Sequence, residues 1–205
     1  YMKLEQQNTD IEPFAVGILK GRTTSNYHSL FIVNSKSNIK KIEDLRTKSL
    51  TLSDEFSASG YEVPKHELEN IGLPITDKKN YKNIFYVKNH DEAIKSVLQG
   101  STDAAAISSI NFEKWLKRNN KENKNLRVIY KSSAISGPPL VFARNLDPFL
   151  KDEIKSVVLE AHNHIDLGGY GGEMERYIDI EASQTKHLES YIRPQWGWKT
   201  FLLIA

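Results

Sequence analysis

The chain predicts an α/β fold built on a parallel sheet. Between Lys48 and Ile107, apolar strand-like runs alternate with segments of helical period in the order strand, helix, strand, helix, strand. That alternation favours parallel strands joined by right-handed crossovers. Small-residue loops separate the runs, at the carboxyl ends of strands where open α/β sheets place ligands. The 205 residues are 39% hydrophobic and 10% aromatic, enough to bury the core of one large domain or of two small lobes.

Taken in order, Phe14 to Leu19 reads as a buried strand and Gly21 to Asn26 as a polar turn. Tyr27 to Val33 is apolar enough for a central strand. It closes at Asn34 to Asn38, which reads as a crossover between lobes, and Ile39 to Leu45 predicts a short helix. Lys48 to Leu52 is a strand feeding a loop and then a helix that ends near Ile71, with Gly72 as its cap. Ile84 to Val87 is a strand, and Ala93, Ile94, Val97 and Leu98 form the apolar face of a helix stopped by Gly100. Asp103 to Ile107 is a buried strand, Phe112 to Arg118 a helix, and Leu126 to Tyr130 and Leu140 to Ala143 are strands. Asp147-Pro148 opens a helix whose apolar positions are Leu150, Ile154, Val157, Val158, Ala161 and Ile165, ending at Gly168-Gly169.

Charge narrows the function classes. Lys and Arg number 28 against 26 Asp and Glu, a net of +2, too balanced for a nucleic-acid surface. The basic stretch from Lys114 to Arg127 reads as a solvated face and loop, because the aromatic interleaving of a single-strand binding surface is nearly absent. Cysteine is absent, which removes disulfides and thiolate metal sites. His162 and His164 resemble a metal motif, but residues two apart on a helix point in nearly opposite directions. A serine-type enzyme built from Ser59, His90 and Asp103 lacks the G-x-S-x-G elbow.

The segment Leu50 to Pro64 carries the chemistry. Ser59 with Glu62 three residues on reads as a capping box, which satisfies one orphan amide at the helix start and leaves its neighbours free. Free amides, the peptide dipoles and the Ser57 and Ser59 hydroxyls together suit an oxyanion, and Gly60 keeps the approach open. A second strand-to-helix junction, Asn89 to Glu92, sets His90 just before its helix with a ring nitrogen to donate. Tyr27, beside His28 and Ser29, offers a phenol and an aromatic wall.

Four segments combine into a pattern: Ser25-Asn26-Tyr27-His28-Ser29, Ser57-Ala58-Ser59-Gly60-Tyr61-Glu62-Val63-Pro64, Asn89-His90-Asp91-Glu92-Ala93 and Gly100 to Ala106. Their order and separation resemble the phosphate/phosphite/phosphonate-binding proteins of ABC importers, over about Ile11 to Tyr170. The resemblance implies a two-lobe type II periplasmic-binding-protein fold closing on a tetrahedral oxyanion. Residues 1–34 and 136–205 would form lobe 1, and 35–135 lobe 2. By position, Ser57, Ser59 and His90 would contact the anion, Ala58 would offer its amide, and Tyr27 would form the pocket wall. Ala58 stands where the family commonly has Thr, removing one hydroxyl.

The resemblance implies a non-enzymatic, extracytoplasmic or periplasmic binder, surface-anchored in some settings. It would take phosphonate, phosphite or phosphate, use no cofactor or metal, and deliver its ligand to a membrane permease. Aminoalkyl-phosphonate binders of the family hold the amine with acids near two positions that here read Ser108-Ser109-Ile110-Asn111 and Ser136-Gly137-Pro138-Pro139, with no acid in either. Ligands without an amine are therefore expected. The first lobe is expected to be incomplete, because the polar Tyr1 to Asp10 does not supply the family's opening strands and helices. The alternative is an extracytoplasmic ligand-sensing domain of a membrane receptor such as a sensor kinase. Its hint is Trp196 to Ala205, an apolar end shorter than the roughly 20 residues of a span.

Overall fold

The computed structural model describes residues 10–169 and 173–180. The chain divides into two compact units, one from Tyr1–Asn26 with Ser136–Ala205 and the other from Tyr27–Ile135.

In the second unit, β2 (Ser29–Asn34), β3 (Lys48–Leu52), β4 (Tyr81–Tyr86), β5 (Ala104–Ser108) and β6 (Leu126–Lys131) form one sheet in the order β4-β3-β5-β2-β6. Strand β3 runs parallel to β4 and β5, whereas β2 lies antiparallel to β5 and to β6. The strands of the Lys48 to Ile107 stretch, β3, β4 and β5, are thus parallel as its strand–helix alternation predicts; β6 shares their direction and β2 opposes them. The reason is its entry. No crossover helix precedes β2, so nothing returns the chain to the sheet edge from which a parallel strand would start.

Successive side chains of a strand point to opposite faces, and both faces of this sheet are covered. Phe31, Val33, Leu50, Leu52, Ala104 and Ala106 pack on one side with Ile42 and Leu45, and with Leu68 of α1 (Val63–Asn70). Leu30, Ile32, Ala105 and Ile107 pack on the other, against Ala93, Ile94 and Val97 of α2 (His90–Leu98) and Phe112 and Trp115 of α3 (Ser109–Arg118). Burial on both faces explains why β2 and β5 read as continuous apolar runs. The left-handed Gly72 and Gly100, with φ of 73° and 72°, follow α1 and α2 as the sequence predicts.

Two boundaries move. Strand β2 sits between β5 and β6, so the first change of unit falls at Asn26/Tyr27 and not after residue 34. The Asn34 to Asn38 stretch lies inside the second unit, where Arg127 fastens the chain leaving β2 by donating to the carbonyls of Ser35, Ser37 and Ile39 at 3.0, 2.8 and 2.8 Å. The helix expected over Ile39 to Leu45 is a single 3-10 turn at Ile42–Leu45.

The first unit holds an antiparallel sheet in the order β7-β1-β8, from β1 (Ile11–Leu19), β7 (Pro139–Ala143) and β8 (Met174–Asp179). Strand β8 carries no clean alternation in its sequence and is not among the expected strands. The rings of Phe14 and Phe142 stack at 3.8 Å between centroids. Helix α4 (Pro148–Glu160) begins where Asp147 accepts from the Leu150 amide at 3.1 Å, and its Ile154 and Val158 pack on Phe14 and Phe142. Three residues of the predicted apolar face, Leu150, Val157 and Ile165, are instead exposed. Helix α4 is followed by a 3-10 turn at Ala161–Asn163 that carries His162. The terminal segments bearing the expectations about Tyr1 to Asp10 and Trp196 to Ala205 lie, but for Asp10, outside the described residues. Among the described residues no helix is long and apolar enough to cross a membrane.

Candidate functional site

Strand β3 ends at Leu52, and the next turns are short and polar. Asp54 accepts from the Phe56 amide at 2.8 Å through its side chain and from the Ser57 amide at 2.9 Å through its carbonyl, which reverses the chain within three residues. Residues Ala58–Glu62 form a π turn that runs into α1, with Pro64 in the first turn of that helix. The cap is Ser57 and not Ser59: the Ser57 hydroxyl accepts from the Gly60 amide at 3.1 Å, and its carbonyl accepts from Tyr61 and Glu62 at 3.1 and 3.0 Å. The amides of Ala58 and Ser59 donate to none of the described residues. A π turn leaves more unpaired amides at its start than an α turn, so the shift of the cap supplies two adjacent donors.

Ser59 is buried, and its carbonyl accepts from the buried Ser29 hydroxyl at 2.7 Å. That bond fastens the carbonyl side of the turn to β2, and the aligned N–H groups of a helical turn point the opposite way. The Ser59 hydroxyl makes no hydrogen bond to any described residue. Gly60 has a different role from the one expected. A Cβ built there would lie 2.3 Å from Ser53 Oγ and 2.5 Å from Ser53 Cβ, so its bare backbone is needed to pack against Ser53, whose amide donates to the Gly60 carbonyl at 2.9 Å.

His90 opens α2. Asn89 caps that helix by accepting from the Glu92 amide at 2.9 Å, while its own amide group donates to the Glu92 carboxylate at 3.0 Å. Nδ1 of His90 lies 3.5 Å from Ser53 Oγ. Ser53 therefore joins the two junctions: it touches His90 on one side and Gly60 on the other. Burial holds the imidazole below the ordinary histidine range, with the Asp91 charge opposing, so the ring is neutral at pH 7 and acts as a hydrogen-bond group.

That burial carries a pH signature. The unfolded chain takes up a proton on His90 near pH 6.5 and the folded chain only lower, so in that window the unfolded state binds more protons and stability falls as pH falls. Wild type is expected to lose more stability between pH 7 and pH 5 than His90→Gln, measured by urea unfolding at each pH; parallel losses would contradict a buried neutral ring.

Ser57, Ala58, Ser59 and, through Ser53, His90 are thus brought together. Tyr27 is placed separately, by its backbone. It pairs with Ile135 through two hydrogen bonds of 2.9 and 2.7 Å, two residues before Ser29. Asp103 lies elsewhere. Its carboxylate accepts from the Ser49 amide and hydroxyl at 2.8 and 2.7 Å, at the opposite end of β3 from the Ser57 turn. Burial would raise that carboxyl, but the two Ser49 bonds, with Lys48 and Lys82 nearby, outweigh it and hold the pKa low. The Ser59, His90 and Asp103 triad is therefore not assembled. The two junctions meet at Ser53, and the groups they carry, two amides, two hydroxyls and a neutral imidazole, are hydrogen-bond donors of the kind that suits an oxyanion.

Comparison with known proteins points the same way. Residues 1–188 match the model of a family described as the periplasmic phosphonate substrate-binding protein of ABC transporters. A probable ABC transporter phosphite binding protein of Prochlorococcus marinus is 29% identical over 194 residues, covering 86% of this chain and 64% of that protein. A phosphonates-binding periplasmic protein of Escherichia coli is 32% identical over 133 residues, covering 62% of this chain and 38% of that protein. The chain thus spans less than two thirds of the length of these curated relatives. Among solved structures, a Prochlorococcus marinus protein in complex with methylphosphonate aligns with a TM-score of 0.65 at 22% identity, over 93% of this chain and 79% of the other. The α/β fold is of the type II periplasmic-binding-protein kind.

Proposed function

Because the chain belongs to the phosphonate-binding family of periplasmic ABC-transporter substrate-binding proteins, we propose that it captures a phosphorus oxyanion outside the cytoplasm for a membrane permease. The observation that carries the reading is the pair of adjacent amides at Ala58 and Ser59 that donate to none of the described residues, beside the Ser57 and Ser59 hydroxyls and with His90 across Ser53. Such a site, built of hydrogen-bond donors, suits binding and release. The anion is held by donors in the second unit, and the positive end of the turn and of α1 supplies the compensating potential.

The ligand class is narrowed by what accompanies those donors. At the β5-to-α3 junction the residues are Ser108, Ser109, Ile110 and Asn111, and Ser109 is already engaged, its hydroxyl accepting from the His28 amide at 3.1 Å. No carboxylate stands there. A buried ammonium would lack its counter-charge. Phosphate, phosphite and methylphosphonate are therefore expected to raise the melting temperature more than 2-aminoethylphosphonate at equal concentration. A larger shift with the amine would contradict this ligand class.

Two serine variants separate binding from folding. Ser59→Ala is expected to weaken anion binding by about 1–3 kcal/mol, the loss of a donor to a charged oxygen, with little change in urea midpoint because its hydroxyl bonds none of the described residues. Ser57→Ala is expected to weaken binding and also lower stability by about 1 kcal/mol, the usual cost of a lost cap. Equal stability losses in both variants would contradict the division of roles.

A further inference from the structure

We propose that Ser53 is a positioning residue of the anion site, donating its hydroxyl hydrogen to Nδ1 of His90 and so fixing the tautomer in which Nε2 carries the hydrogen. The proposal rests on the anion-binding reading above and deepens it by naming the residue that makes a neutral histidine a donor.

Ser53 follows β3 directly and is 3% exposed. Its amide is occupied by the Gly60 carbonyl at 2.9 Å, and Gly60 closes over it so tightly that no Cβ fits between them. For its hydroxyl, the one hydrogen-bond partner among the described residues is Nδ1 of His90 at 3.5 Å. A buried hydroxyl hydrogen needs an acceptor. If Nδ1 carried the ring hydrogen, it would donate to the Ser53 oxygen and leave the Ser53 hydrogen with no acceptor. Nε2 would then present a lone pair, which repels an oxyanion. With the hydrogen on Nε2 both conflicts vanish: Ser53 donates to Nδ1, and Nε2–H is free to donate to the anion. The 3.5 Å separation is long for such a bond, and an anion drawing on Nε2–H makes Nδ1 a better acceptor, so the Ser53 bond strengthens when the site fills.

Burial supports the neutral ring. The Asp91 carboxylate is engaged by Arg118 of α3, which donates to its two oxygens at 3.2 and 3.0 Å, so the acidic neighbour of His90 is already paired.

Long-range proton–nitrogen correlation spectra of uniformly ¹⁵N-labelled protein at about pH 7.5 test this, with His90 assigned among the six histidines by its loss in His90→Gln. The expected result in wild type without ligand is a protonated Nε2 and an unprotonated Nδ1, unchanged in type when methylphosphonate is added. In Ser53→Ala the two nitrogens are expected to move toward the averaged positions of exchanging tautomers, with methylphosphonate affinity about three- to tenfold weaker by calorimetry. A wild-type ring protonated on Nδ1, or a Ser53→Ala ring with the wild-type tautomer, overturns the proposal. The ligand-free spectrum decides the tautomer even where Ser53→Ala does not fold. A wild type that shows Nε2–H yet binds no methylphosphonate would instead overturn the anion-binding reading.

Discussion

Gly60→Ala is expected to abolish measurable anion binding and to destabilise the second unit by about 1–3 kcal/mol, the range for forcing an extra methyl into a filled site. The new methyl would lie 2.3 Å from Ser53 Oγ and 2.5 Å from Ser53 Cβ. A hydroxyl can rotate away, but Cβ is anchored to the backbone just after β3, so the turn itself must move. Moving it shifts the Ala58 and Ser59 amides, since the Gly60 amide and the Ser57 cap are one hydrogen-bonded unit. The double variant Ser53→Gly with Gly60→Ala removes the two nearest clashing atoms, leaving the Ser57 hydroxyl oxygen at 2.9 Å, and is expected to recover much of the lost stability, a coupling that a double-mutant cycle reads directly. Additive losses in that cycle, measured by urea unfolding, would contradict the packing argument.

Arg127→Ala is the second large effect, expected to lower stability by about 2–4 kcal/mol. One guanidinium serves the carbonyls of Ser35, Ser37 and Ile39 at 3.0, 2.8 and 2.8 Å, and charge-assisted bonds of this kind contribute about 1.5–3 kcal/mol each before partial rehydration of the freed carbonyls. Those bonds hold the segment leading from β2 to Ile42 and Leu45, which lie in the core. Arg127→Lys is expected to recover little, because one ammonium on a flexible stem cannot span three carbonyls fixed in a fan. A change below about 0.5 kcal/mol in Arg127→Ala, the range of an ordinary surface substitution, would show that the segment holds itself.

Arg127 also marks where sequence reading stops. Its neighbours Lys117 and Arg118 lie exposed, as the solvated-face expectation has it, and nothing local distinguishes Arg127 from them. Its partners lie 88 to 92 residues away, and a carbonyl leaves no trace in residue identity. The central strands are legible because burial on both faces writes apolar runs: Leu30 to Val33, and Ala104 to Ile107. The opposed direction of β2 is not, since strand direction depends on how the chain enters the sheet.

The same division holds at the site. The proposed site residues Ser57, Ala58, Ser59 and His90 stand out in the sequence because strand-to-helix junctions carry capping residues, and capping chemistry is local. The exact cap is displaced by two residues because a π turn precedes α1, and a Ser-x-x-Glu pattern does not distinguish a π start from an α start. The contacts of Ser53 and Ser29 escape notice because each is made across the sheet end to a group distant in sequence, His90 in one case and the Ser59 carbonyl in the other. Their signal is weak but real: a serine buried at the edge of an apolar strand has a polar task to perform.

Isothermal titration of the wild-type chain with methylphosphonate, repeated with Ser59→Ala and Gly60→Ala, tests the central claim most directly. The account predicts one saturable site in wild type, binding weaker by about 1–3 kcal/mol in Ser59→Ala, and no detectable heat in Gly60→Ala. A folded wild type that binds no phosphorus oxyanion, or one whose affinity is untouched by both substitutions, would contradict it.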